Sequence, residues 1–138
     1  MLRYLLPAAL TIMVGAPATA EEQDPFEAVV AAPASHHILL ETDRVRVLRV
    51  SVPPGATEPV HVHKWPSVMY FEQAQPITYI TYDLIGGKPI ERARVDVPAE
   101  ALSGAGTADP EGLHAVQNRG TQLFLALRVE LKDGRPLK

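Results

Sequence analysis

The stretch Pro54-Gly55-Ala-Thr-Glu-Pro-Val-His61-Val-His63 decides how the rest of the chain is read. Pro54 and Gly55 turn the backbone, five residues follow, and two imidazoles then stand at i and i+2. Successive side chains on a β-strand alternate between faces, so His61 and His63 share one side. Their Cα atoms lie about 6.5 to 7 Å apart in an extended strand. Nitrogen ligands at that spacing can converge on one ion. Alone, such a pair equally marks two surface or hydrogen-bonded histidines, so its surroundings matter. A second stretch, Gly104-Ala-Gly-Thr-Ala-Asp-Pro110-Glu-Gly112-Leu-His114-Ala-Val-Gln-Asn118, brings a third histidine behind a Pro-x-Gly.

Around these stretches the texture is that of short strands. β-type runs cover residues 37–41, 44–51, 68–71, 77–82, 90–97, 113–117 and 122–131. Thr42-Asp43 and Gly86-Gly87 sit between runs as tight turns. In the second run Val45 and Val47 alternate with Arg44 and Arg46, as on a strand with one wet face, and the phase slips at Leu48, where a bulge fits. Residues 99–109 are small and polar and read as a loop with one short turn. No amphipathic helix exceeds three turns. Turn signals every eight to twelve residues predict an all-β sandwich or barrel.

The two histidine stretches together resemble the paired motifs of the cupin superfamily. The first is Gly, five residues, His-x-His, then a Glu three or four residues on and later a Gly. The second is Gly, five residues, Pro-x-Gly, two residues, His, three residues and Asn. Gly55, His61 and His63 match the first; Gly104, Pro110, Gly112, His114 and Asn118 match most of the second. The resemblance spans roughly residues 36 to 131. It implies a single-domain double-stranded β-helix, a jelly-roll barrel, with a divalent metal held inside by His61, His63 and His114. Gly112 is expected to free the backbone for a turn before the strand that His114 opens, and Asn118 to belong to the framework.

Two departures qualify that expectation. The second motif is one residue short between Gly112 and His114, and Ser67 and Val68 stand where the first has its Glu. Glu72 is about 13 Å further along a strand than Val68, too far to substitute. The expected set is therefore three histidines with no protein carboxylate, leaving positions open for water or substrate. Three-histidine sites occur in the thiol dioxygenases of this superfamily; iron, copper, zinc, manganese or nickel all suit three imidazoles. Ser67 can hold a bound water or serve as a turn residue. Trp65 and Tyr70 flank the first motif, either to stack on a ligand at the barrel mouth or to cap the core. Met69 and Phe71 read as packing. Tyr79 and Tyr82 fall on opposite strand faces, so at most one points inward. His36-His37 reads as exposed ahead of the first strand, with a second metal site there as the minor alternative, and Glu58 and Glu111 read as loop residues near the site.

The ends and the composition fix the setting. Arg3, an apolar run over residues 5–14 broken by Pro7 and Thr11, and small residues at Ala18 and Ala20 predict a signal peptide over residues 1–20, cleaved before Glu21. The apolar run is half the roughly twenty residues that a membrane span needs. Residues 21–35, rich in Ala, Pro and acids, read as an N-terminal arm or linker with a helical turn near residues 26–30, and residues 36–138 as the cupin domain. The protein is thus expected in the periplasm or secreted. Without cysteine, the fold must rest on an apolar core or a metal. With 13 Lys and Arg against 16 Asp and Glu, and no basic patch, nucleic acid is an unexpected partner; a small-molecule ligand and a homodimer that buries an edge strand are the expected ones. Three accounts of function stay open: a metal-dependent enzyme, either a dioxygenase-like oxidoreductase or an isomerase acting on a small organic molecule; a non-catalytic cupin module holding a ligand or metal; and a metal-free barrel whose histidines hydrogen-bond internally.

Overall fold

The computed structural model describes residues 23–135, and the expected signal segment over residues 1–20 lies outside the described residues. Nine strands follow one short helix: α1 (Ala28–Ala31), β1 (His36–Glu41), β2 (Val45–Val52), β3 (His61–His63), β4 (Ser67–Gln73), β5 (Ile77–Ile85), β6 (Lys88–Val97), β7 (Gly104–Ala108), β8 (Glu111–Asn118) and β9 (Phe124–Leu131). They form two antiparallel sheets, ordered β1-β2-β9-β4-β7 and β3-β8-β5-β6. The all-β expectation holds in this jelly-roll arrangement.

Turn chemistry sets the β5–β6 hairpin. Gly86 and Gly87 take φ of 58° and 76°, and Ile85 pairs with Lys88 across them. A two-residue turn with positive φ at both positions suits glycine, and its twist matches that of the strands. The segment read as a loop over residues 99–109 divides into a 3-10 turn (Ala99–Leu102) and β7. β7 pairs with β4 from Ser67↔Ala108 to Phe71↔Gly104. Its small side chains hide it from a propensity reading, because backbone pairing rather than side-chain burial holds it at the sheet edge.

The face assignment for β2 needs correction. There is no slip at Leu48: β2 pairs residue for residue with β9, from Val45↔Leu131 to Val52↔Phe124. The bulge lies in β1, between Ile38 and Leu40. Arg46, Leu48, Val50 and Val52 are therefore the inward row, and Val45 and Val47 face away. Arg46 tolerates burial because its guanidinium bonds Glu27 (2.5 Å) and Glu41 (2.6 Å). β9 repeats the pattern, with Phe124, Ala126, Arg128 and Glu130 buried and the intervening residues partly exposed.

The apolar core between the sheets comprises Leu48, Val50, Val52, Ile77, Phe124 and Ala126, with Met69, Phe71, Val97, Leu102 and Val116 packed on it. The N-terminal segment packs too, rather than hanging as a linker. Ala28 and Ala32 are buried, and Val62 N–H donates to Phe26 O (2.7 Å), so residues 26–27 run beside the edge strand β3. From there the chain crosses to the other sheet and enters β1.

Candidate metal centre

β3 and β8 are neighbours, with His61 opposite His114. The next pair is His63 with Glu111, so Val62 alone on β3 stands against both Gly112 and Leu113 on β8. That bulge decides the chemistry. In a regular strand residues three apart face opposite ways; one extra residue turns Glu111 and His114 toward the same side. Glu111 is thus a strand residue lining the same cavity as His114, not a loop residue beside it. One ligand atom each of His63, Glu111 and His114 lies within 4.8 Å of the other two. Gly112 sits inside β8, without a positive φ and without a crowding neighbour, so the turn expected there is absent.

The three expected histidines come together. Ring centroids are 5.1 Å apart for His61 and His63, 4.4 Å for His61 and His114, and 5.6 Å for His63 and His114. A fourth imidazole joins them. His36, expected to be exposed, is 3 % accessible, with its ring 4.6 Å from that of His61 and 5.1 Å from that of His63. It was missed because it stands in neither motif and enters from the opposite sheet.

Each ring is held through Nδ1, three of them by a backbone carbonyl and His63 by a carboxylate. His61 Nδ1 lies 2.8 Å from Pro59 O, His114 Nδ1 2.8 Å from Gly112 O, and His36 Nδ1 3.2 Å from Ala32 O. Carbonyl oxygens only accept, so Nδ1 carries the proton and Nε2 keeps its lone pair. His63 Nδ1 bonds Glu130 Oε1 at 2.7 Å. Burial raises the Glu130 carboxyl above its ordinary value, and Arg128 and Arg46 oppose the rise. Burial is also the leading cause that lowers the imidazoles, taking His36 to about 4 and His61 to about 2, with His63 and His114 lowered as well. Neutral rings with a fixed tautomer are the form in which histidine binds metal.

Arg128 supplies the positive charge of the site. It is 2 % accessible; Nη1 donates to Glu111 Oε2 (2.6 Å) and Nε to Ser67 Oγ (2.9 Å). Burial pushes the Glu111 carboxyl up, but Arg128, His114 and the Tyr79 hydroxyl outweigh it, so the group stays below the usual value. Tyr79 is the inward tyrosine of β5: its ring stacks on His114 at 5.0 Å and its hydroxyl donates to Glu111 (2.9 Å). Glu58, on the loop before β3, is 6 % accessible, and burial raises its carboxyl to about 7. Among the described residues Glu58 Oε1 and Arg128 Nη2 are buried with no protein hydrogen-bond partner, which is unusual outside functional sites.

The other expected site residues fall elsewhere. Ser67 accepts from Arg128 and donates to Trp65 O (3.2 Å), so it supports the guanidinium rather than holding water at the ions' side. Asn118 ties strand ends together: Nδ2 donates to Val52 O (2.9 Å) and Gln122 O (2.8 Å), and Oδ1 accepts from Gly120 N–H. Neither Trp65 nor Tyr70 lines the cavity. Trp65 lies under the cations of Arg46, Lys64 and Lys132, 4.5 to 5.4 Å from its ring. Tyr70 is 53 % exposed on the outside of β4.

The cavity has a volume of about 200 Å³. One end carries the four imidazoles, Glu58, Glu111, Tyr79 and Arg128; the other is walled by core side chains such as Met69, Phe71, Leu102 and Phe124. The donor groups fit a divalent ion: His36, His61 and His63 form one triad and His63, Glu111 and His114 another, with no thiolate that would favour a softer metal.

Solved structures carry the same architecture. A cupin domain from Bordetella pertussis Tohama I is 22 % identical, with a TM-score of 0.52 over 70 % of this chain and 91 % of that one. Looser likenesses are a cupin superfamily protein from Desulfitobacterium hafniense DCB-2 (20 % identity, 70 % and 74 % covered, TM-score 0.41) and an RmlC-like cupin with a double-stranded β-helix from Methanocaldococcus jannaschii (15 %, 70 % and 77 %, 0.39). No protein-family profile matches the sequence, and no curated protein does. The chain thus has the cupin fold, a double-stranded β-helix with an imidazole-rich cavity between its sheets.

Proposed function

We propose that this is an exported, metal-dependent cupin enzyme of the oxidoreductase or isomerase type, acting on a small organic molecule. One observation carries the reading: the ligand residues and an apolar wall share a single cavity. His61, His63, His114 and Glu111 would hold the ion. Bound there, a divalent metal supplies a Lewis acid and, if redox-active, a route for electrons. The chain's own groups do the rest. The apolar end orients a mostly hydrocarbon ligand, and a whole cavity of about 200 Å³ selects one smaller than a typical drug. Tyr79 and Arg128 fix the Glu111 carboxylate. Glu58, with a free oxygen in the same cavity, can give or take a proton. This carboxyl favours an enzyme over a passive binding module.

The test begins with elemental analysis of protein purified without a His-tag, beside a His61→Ala/His114→Ala variant. The reading expects about one ion per chain in the native protein and none in the variant; absence of metal after incubation with iron, copper, zinc and manganese would sink it. Oxygen uptake by the iron-loaded protein then separates oxidoreductase from isomerase, and metal with ligand binding but no turnover would make it a module. Export rests on the residue 1–20 pattern. Homodimerisation is supported by exposed apolar side chains along the edge strand β1, Ile38, Leu39 and Leu40, and is checked by sedimentation.

A further inference from the structure

His36 belongs to neither histidine motif, yet its surroundings are those of a ligand. Its Nδ1 is taken by Ala32 O, so Nε2 is bare. It lines the same cavity as the motif histidines, and one ligand atom each of His36, His61 and His63 lies within 4.8 Å of the other two. The acceptor that sets its tautomer is itself fixed: Ala32 is fully buried, and its carbonyl also accepts from Ser35 N–H and His36 N–H at 3.1 Å. A histidine kept for packing alone would not need its second nitrogen directed among two other imidazoles. Glu58 Oε1 approaches Nδ1 only to 3.8 Å and makes no hydrogen bond, so it does not occupy Nε2.

We propose that His36 is a fourth imidazole ligand of the ion, so that metal binding clasps the N-terminal segment, residues 26–36, onto the barrel. The inference rests on the metal-binding reading above and extends it to a residue and a segment outside the motifs. The segment is arranged for the task. Phe26 O and Glu27 are tied to Val62, between the two motif histidines of β3, while His36 begins β1 on the opposite sheet. The ion would therefore join both ends of a segment that already bridges the two sheets. Loss of the ion would release one of those attachments, which couples order in residues 26–36 to metal occupancy.

The experiment loads Co²⁺ as a spectroscopic probe into the native protein, His36→Gln and, as control, His37→Ala. His37 is exposed and outside the cluster. Affinity is read by chelator competition, ligand number by the visible d–d band, and segment order by hydrogen exchange with and without Co²⁺. His36→Gln should weaken Co²⁺ by more than the 10- to 100-fold that loss of a supporting partner costs and should change the band, with His37→Ala unaltered. In the native protein Co²⁺ should slow exchange at residues 26–36. Native-like affinity and spectrum in His36→Gln would overturn the proposal and leave a motif-bound ion standing; a native protein that binds no Co²⁺ would overturn both. Should His36→Gln not fold, exchange in the native protein decides: protection of residues 26–36 supports the clasp, and its absence overturns it.

Discussion

The two ends of the inter-sheet space are built by the same faces of the same strands, yet they do opposite work. β9 sends Phe124 and Ala126 inward at one end, and Arg128 and Glu130 at the other. β2 does likewise with Val52 and Val50, then Arg46. β8 places Val116 toward the core and His114 and Glu111 toward the cluster. The apolar end removes hydrocarbon from water, the main favourable contribution to folding. The other end buries charges and bare nitrogens at a cost, offset by ion pairs such as Arg128–Glu111 and Arg46–Glu27. Stability is concentrated at one end of each strand and chemistry at the other.

Substitutions can break that division. The largest effect belongs at the apolar end: Phe124→Ala should cost about 3 to 5 kcal/mol in urea unfolding, and a loss below about 1 kcal/mol would mean the core is not where the burial places it.

Acid should act at the polar end. An unfolded histidine takes a proton near pH 6.5, whereas buried His36 resists until about 4 and His61 until about 2. The unfolded chain therefore binds more protons, and stability falls as the pH drops from about 6.5 toward 4. Glu58, raised to about 7, and Glu130, also raised by burial, work the other way, two groups against four. Metal-free protein should thus lose a few kcal/mol between pH 6.5 and 5, at up to about 1.4 kcal/mol per group per pH unit. Unfolding curves that coincide at the two pH values would refute this.

Glu130→Gln keeps the shape beside His63 but removes the carboxylate. Metal affinity should drop about 10- to 100-fold with little change in Tm, measured by chelator competition and thermal melting; unchanged affinity would show that His63 needs no anionic partner. Smallest of all, Tyr70→Ala on the outer face should stay within about 0.5 kcal/mol of native stability and keep its full metal content. A loss of metal there would put Tyr70 back at the site.

The jelly roll and the three motif histidines were legible through the resemblance of two histidine stretches to the cupin motifs, whereas strand alternation alone joined only His61 and His63. Glu111 was hidden by a bulge, since an i, i+3 pair in a strand ordinarily diverges. His36 was hidden by distance in sequence and by the opposite sheet. Arg46, Arg128 and Glu130 defeat hydrophobic alternation, because their partly exposed strand neighbours Val45, Val47, Leu127 and Val129 are the apolar residues. Alternation reports which residues are greasy, and it identifies the buried face only where that face lacks compensated charges. Ser67 and Trp65 were read from their nearness to a motif, whereas their partners, Arg128 and Arg46, come from other strands.

The cluster gathers residues 36, 61, 63, 114 and 130. No continuous stretch holds more than two of its imidazoles, so the site closes only when β1 and β9 have joined their sheet. Closing such long loops precedes the contacts that reward it. An ion held by this set meets a finished barrel; it can prolong the folded lifetime by slowing unfolding, while the rate at which the chain first folds is left to the strands alone.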